Sequence, residues 1–305
     1  MVLQLKQPLI LALSLCLTVA AHAGITVTDS RGEQTFESVP ERVVALNWSM
    51  AENLVELGIE PVGVADIAGY RKWVVQPGLP DSTVNVGKRS EPNMERIASL
   101  EPDVIILSTD QAGLADKMSR VAPVLFFDAF RADHSNARRA KAIFQELGRL
   151  FQREDRARQK LRMLEARFIW LRGRVRDHFG DELPEVTSLG FASPTVVRVF
   201  GRNGMPWYVL RQLGLESAMP QPRSQWGQTQ REVADLSRIN RDDVLLYFRP
   251  TVLAGDLLEK PLWNALPVVE AGRVAPVEPT WVYGGAMSLR YLAENMTDAL
   301  LTIEP

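Results

Sequence analysis

From Arg42 onward, short apolar runs alternate with stretches in which apolar residues recur every three or four positions. "RVVALN" (42–47) is followed by the helical "AENLVELG" and then by "PVGVAD" (61–66). "DVIILS" (103–108) precedes a helical stretch over 113–121, and "PVLFFD" (123–128) follows it. Apolar runs without polar alternation predict strands covered on both faces, and the strand–helix–strand rhythm predicts a parallel sheet with crossover helices.

The texture changes over 137–179, a helical region rich in arginine. Leu161, Leu164, Phe168, Leu171 and Val175 form one apolar stripe, and Arg158, Arg162, Arg172 and Arg176 fall on other faces, which reads as solvated surface. After Pro184 strand-type runs resume: "VTSLGF" (186–191), "TVVRVFG" (195–201), "DVLLYF" (243–248) and "RVAPV" (273–277). An amphipathic helix over 286–301 closes the chain, with Leu289, Leu292, Met296 and Leu300 on its apolar side.

"MERIASLEPDVIILS" in the first half is echoed by "REVADLSRINRDDVLLYF" in the second. Each has an acidic residue, a short helical stretch, a polar turn, then "DV" and a buried run. Glu95 and Glu232 hold corresponding places, with Arg89 six residues before the first and Trp226 six before the second. Helix–turn–strand units look alike, so coincidence stays open. Taken as a repeat, the echo predicts an α/β protein of two lobes with mainly parallel sheets, bridged by one long α-helix, with a ligand cleft between them. The expected division is 1–23, an N-terminal lobe 24–136, a helical region 137–180 and a C-terminal lobe 181–305.

The first residues fit none of these elements. Lys6 stands before an apolar run over 9–20, and Ala21-His22-Ala23 has the small-x-small pattern of a cleavage site. That predicts a signal peptide cleaved after Ala23, since the run is too short to span a bilayer. Cys16 raises the alternative of a lipoprotein, but Leu15 stands before it where a small residue is expected, so a free exported protein is favoured. Cys16 is the one cysteine, so 24–305 contains none and cannot use disulfides; its stability must come from a large core. Removing 1–23 takes away Lys6 and no acid, leaving 34 basic residues against 37 acidic. That balance does not suggest nucleic acid or an anionic membrane as partner.

Candidate chemistry points to binding. His134 and His178 are the histidines beyond residue 23, and neither has neighbours spaced to form a metal cluster or activate a nucleophile; both read as surface histidines. No G-x-S-x-G, Walker loop or G-x-G-x-x-G is present. A hydrolase using paired carboxylates stays open, because 37 acidic residues make some pair inevitable. Trp48, Trp73, Trp226 and Trp281, the last with Tyr283, sit in punctuated segments after strands. Aromatics placed so supply broad contact area with few rotamers to freeze, although each could instead seal its local core. Trp170 and Trp263 read as structural, and Trp207 is open. An aromatic cleft edged by Arg89 suits a bulky, partly apolar ligand carrying paired oxygen anions, although a carbohydrate would also stack on tryptophan.

The blocks "PERVVALNWSMAENLVELGIEPVGVAD", "YRKWVVQPGLPDSTVNVGKRSEPNMERI", "SQWGQTQ" and "PLWNALPVVEAGRVAPVEPTWVYGG" resemble the periplasmic ferric-hydroxamate siderophore-binding proteins of bacterial ABC importers. These belong to the wider group that binds iron–siderophores, haem and vitamin B12, so a haem or corrinoid ligand is the alternative. The resemblance covers nearly all of 24–305. It implies a monomeric binding protein, not an enzyme, with iron held by the siderophore and no intrinsic cofactor. Arg89 would donate to the hydroxamate oxygens, and Trp73, Trp226, Trp281, Tyr283 and Trp48 would face the ligand. Where the family has a ligand-contacting tyrosine this chain has Gln111, which would still hydrogen-bond the ligand. Glu95 and Glu232 would dock to basic residues of the membrane permease, although Glu232 could equally be a carboxylate favoured by a helix N-terminus.

Overall fold

The computed structural model describes residues 24–305; the expected signal peptide, its cleavage point and Cys16 lie outside the described residues. The described chain opens with an antiparallel hairpin absent from the pattern-based expectation, β1 (Ile25–Asp29) and β2 (Gly32–Phe36). Its residues are mostly polar and exposed, which hides it from a search for apolar runs. Buried Asp29 ties it down, accepting from the Phe126 backbone N–H at 2.9 Å.

The N-terminal lobe then runs β3 (Val43–Ala45), α1 (Trp48–Leu57), β4 (Gly63–Val64), α2 (Ile67–Trp73), β5 (Val84–Asn85), α3 (Met94–Ser99), β6 (Val104–Ser108), α4 (Ala115–Met118) and β7 (Val124–Phe127). Its sheet has the order β5-β4-β3-β6-β7 and is parallel throughout. Val43, Ala45, Val104 and Ile106 enter one apolar cluster, while Val44, Ile105 and Leu107 enter another. That alternation is the strand period of two with both faces covered. Two strands stop short of the predicted runs because their last residues cap helices. Asn47 accepts from the Ser49 N–H at 2.9 Å to start α1, and Asp66 accepts from the Gly69 N–H at 3.0 Å to start α2.

The predicted helical region divides into α5 (Asn136–Leu150) and α6 (Glu154–Phe179), broken at Gln152, whose φ is 50°. Helix α5 packs on β1 and α1; α6 bridges to the second lobe through contacts with α7 (Met205–Leu213) and α10 (Ser288–Leu300). Leu164, Phe168, Leu171 and Val175 are buried and Leu161, at the start of the stripe, partly so, while Arg158, Arg162, Arg172 and Arg176 are exposed.

The C-terminal lobe comprises β8 (Val186–Phe191), β9 (Val196–Phe200), α7, β10 (Gln228–Glu232), β11 (Val244–Phe248), α8 (Pro261–Asn264), α9 (Pro267–Glu270), β12 (Val274–Val277) and α10. Its sheet order is β10-β9-β8-β11-β12, and it is mixed: β9 runs antiparallel to both neighbours. Only four residues, 192–195, join β8 to β9, a length that permits a hairpin and no crossover. The echo is correspondingly incomplete. Glu95 lies in the first turn of helix α3, whereas Glu232 ends strand β10 and is followed by a 3-10 turn over Val233–Arg238. Among the described residues no helix is long and apolar enough to cross a membrane.

Candidate functional site

Trp48 is the first residue of α1, not part of a loop, so the helix start fixes its ring. It is buried, and its Nε1 donates to the Ala65 carbonyl at 3.0 Å. The Arg89 guanidinium lies 4.0 Å from the centroid of that ring and 5.6 Å from that of Trp281. Arg89 Nη1 also stands 3.4 Å from Asp110 Oδ2, and Asp110 Oδ1 accepts from the Asn47 side-chain amide at 2.7 Å. The ion pair is partly open to water and contributes at most about 1 kcal/mol, so its main effect is to aim the guanidinium.

Aromatic rings continue from there across the cleft. Trp48 meets Trp281 edge-on at 5.0 Å, Trp281 meets Tyr283 at 5.3 Å, Tyr283 meets Trp226 at 5.8 Å, and Trp226 stacks on Phe130 at 5.6 Å. Trp226 depends on its neighbour Gly227, which has φ +66° and where a Cβ would come within 2.4 Å of Gly204 Cα. Burial pushes the Tyr283 phenol up to about 12, so it stays protonated and donates to Gln228 Oε1 at 2.6 Å. Trp73, the last residue of α2 and half-buried, reaches the same space.

Two adjoining cavities of about 280 and 390 Å³ share Arg89, Arg198, Gln228, Trp281 and Tyr283. The first adds Trp48, Trp73, Phe200 and Arg249; the second adds Asn47, Asp110, Phe130 and Trp226. This is the scale of a small-molecule site. Its charged lining consists of Arg89, Arg198 and Arg249 against Asp110, so the cleft attracts oxygen anions while its walls accept apolar or flat groups.

The lobes are joined just beneath. The Gly285 N–H donates to Glu52 Oε2 at 2.8 Å, Ser288 Oγ bonds the same oxygen, and the Ala286 N–H donates to Asn53 Oδ1 at 3.0 Å. The segment carrying Trp281 and Tyr283 is thereby bound to α1, which carries Trp48. A Cβ at Gly285 would lie 2.3 Å from Asn53 Oδ1, so the contact requires glycine. Burial pushes the Glu52 carboxyl up to about 8, and its Oε1 has no partner among the described residues.

Six expected residues thus converge: Arg89, Trp48, Trp73, Trp226, Trp281 and Tyr283. Gln111 does not join them. It is buried, its Nε2 donates to the Leu46 carbonyl at 2.6 Å and the Arg89 carbonyl at 3.2 Å, and it lines neither cavity. In this position its amide holds the loop that presents Arg89. Glu95 and Glu232 are exposed, away from the cleft lining. His134 and His178 are half-buried, not surface groups: each has its Nε2 against a main-chain carbonyl, of Ala129 at 3.1 Å and of Ile303 at 2.7 Å. Trp263 is core, but Trp170 is half-exposed on α6, its ring flanked by Arg167 and Arg174. Trp207, on α7, is partly buried with Arg211 over its ring at 5.9 Å.

Sequence reasoning missed Phe130, Arg198, Glu52 and Asn53. Arg198 had a signal, a lone charge inside the apolar run "TVVRVFG". Glu52 and Asn53 had none, because polar residues on an amphipathic helix read as solvent-facing.

Residues 43–279 match the family described as periplasmic binding protein. The chain belongs to that family. It is 30% identical to the iron(3+)-hydroxamate-binding protein FhuD of Escherichia coli (strain K12) over 262 residues, covering 86% of this chain and 87% of that one. It is 27% identical to the Fe(3+) dicitrate-binding periplasmic protein FecB of the same organism, covering 87% of this chain and 86% of that one. Its fold superposes with a TM-score of 0.85 on the siderophore binding protein FhuD from Vibrio cholerae, solved with Fe3+–Desferal bound; the two are 44% identical, over 88% of this chain and 100% of that one.

Proposed function

We propose that this protein binds a ferric hydroxamate siderophore in the aromatic cleft and delivers it to the permease of an ABC importer in the inner membrane. The observation that carries the reading is Arg89, its guanidinium laid over Trp48 and aimed between the two cavities. A fixed fork of donors beside apolar rings matches the face of a chelate whose oxygens share charge with iron. The likeness to two FhuD proteins, one with Fe3+–Desferal bound, supports the same ligand class.

Iron arrives as cargo inside its chelator, and the protein supplies contacts to the ligand's edge. The role is binding, and the lining favours it over a glycosidase: of the residues lining the two cavities Asp110 is the one carboxylate, where a glycosidase uses a pair. Exposed Glu95 and Glu232 are the surface groups assigned to the permease. Residues 1–23 act as the export signal, cleaved after Ala23, and the periplasmic product works as a monomer of two lobes, 24–136 and 181–305, joined by the helices over 137–180.

Quenching of tryptophan fluorescence during titration tests the reading, because four tryptophans line the cleft. Saturable quenching by Fe3+–Desferal at micromolar concentration or below is expected. Quenching by haem or a cobalamin, with no response to ferric hydroxamates, would reassign the ligand to another branch of the group.

A further inference from the structure

Arg198 stands where an apolar residue belongs. On β9, Val197 and Val199 point into the core behind the C-terminal sheet, so strand alternation turns Arg198 and Phe200 to the opposite face, where Phe200 lines the cleft. The neighbours in register with Arg198 are Gly190 on β8 and Gln230 on β10. Gly190 leaves open space, with no atom within 4 Å of where its Cβ would be. The guanidinium therefore rises from a floor of small and polar groups and lines both cavities. Arg89 has Asp110 beside it and Arg249 has Glu278 at 2.9 Å, but Arg198 has no ion pair or side-chain hydrogen bond among the described residues. Facing the cleft, its N–H donors are uncommitted among the described residues and stand ready for an anionic group on a ligand.

We infer that Arg198 is a specificity residue that pairs with a carboxylate on the ligand, outside the iron-binding groups, so that the cleft selects ferric siderophores carrying a free carboxylate over those with a cationic tail. This rests on the ferric-hydroxamate reading and names the substrate class within it. Arg89 and Arg198 stand on opposite lobes and need different ligand atoms. Asp110, the one carboxylate of the lining, is already shared by Arg89 and Asn47, so no free acid in the cleft favours an ammonium group.

The test uses two ligands with the same iron chelate. Fe3+–Desferal ends in an ammonium group, and the Fe3+ complex of N-succinyl Desferal ends in a carboxylate. The wild-type protein is expected to bind the succinylated complex about tenfold or more tightly, the size of one charge-assisted hydrogen bond. That preference should shrink as salt is raised. Arg198→Met should abolish it, bringing the two complexes to nearly equal affinity, and Arg198→Lys should retain part of it, because the charge remains without the fork. The salt series needs no variant, so a misfolded Arg198→Met would not decide the matter. Equal binding of the two complexes by wild type, or an unchanged ratio in a folded Arg198→Met, would overturn the inference and leave the ferric-hydroxamate reading standing. Binding of neither complex would overturn both.

Discussion

Arg89 on the N-terminal wall has a tryptophan face beneath it, a carboxylate beside it and a buried glutamine holding its own carbonyl. Arg198 on the C-terminal wall rises from a strand with open space at Gly190 next to it and has no side-chain partner among the described residues. The same side chain is pre-aimed in one place and left free in the other. Pre-aiming lowers the ordering cost of recognition and suits a ligand feature of fixed geometry, such as the oxygens around iron. A free guanidinium suits a feature whose position varies from one ligand to the next.

The largest expected effect comes from removing the held arginine. Arg89→Ala should cost roughly 1.5–3 kcal/mol of affinity for Fe3+–Desferal, because a charge-assisted bond to a desolvated anion is lost. An unchanged dissociation constant in fluorescence titration would return Arg89 to the rank of a surface residue and remove the contrast with Arg198.

Next in size is the seam that keeps the two walls together. Burial raises Glu52 from 4.5 to about 8, so between those values the folded protein holds a proton that the unfolded chain has lost. Its contribution to stability is therefore greatest below about pH 4.5 and declines as pH rises toward 8. Glu52→Gln keeps an acceptor for the Gly285 N–H and Ser288 and removes the titration. Relative to wild type, the variant should gain about 2–4 °C in Tm per kcal/mol of this lost penalty, with the difference widening from pH 5 to pH 8. A gap that stays constant with pH would mean that Glu52 does not titrate in this range.

The smallest effect concerns how Arg89 is aimed. Asp110→Asn keeps a hydrogen-bonding side chain beside Asn47 but removes the ion pair, which is about one-third exposed on each side. A change of at most about 1 kcal/mol in affinity is expected. A much larger loss by the same titration would mean that the carboxylate, more than the Trp48 face, positions the guanidinium.

Much of this was legible in the chain. Continuous apolar runs such as "DVIILS" identified β6 because a strand covered on both faces cannot alternate polar residues. The stripe on α6 gave the bridging helix because its 3.6-residue period has to point one side inward. The aromatic residues and Arg89 were visible because they stood where packing alone would not demand them. The hairpin β1–β2 and the edge strand β10 were illegible because edge strands are polar, and polar residues look the same in loops.

Periodicity determined the strands, the bridging helix and the α/β class, since these follow from local propensity and from which residues must leave water, while the two lobes were read from the echo between the halves and from the family resemblance. Tertiary structure alone decided which groups meet. Gln111 was drawn into the interior beneath the Arg89 loop by the approach of Leu46, 65 residues away in the chain. Glu52 was enclosed by a glycine pair more than 230 residues later. Arg198 became a cleft residue because β9 folds back antiparallel and shows that face to the space between the lobes. Contacts at such separations depend on how whole sheets and helices pack, and no local pattern records them.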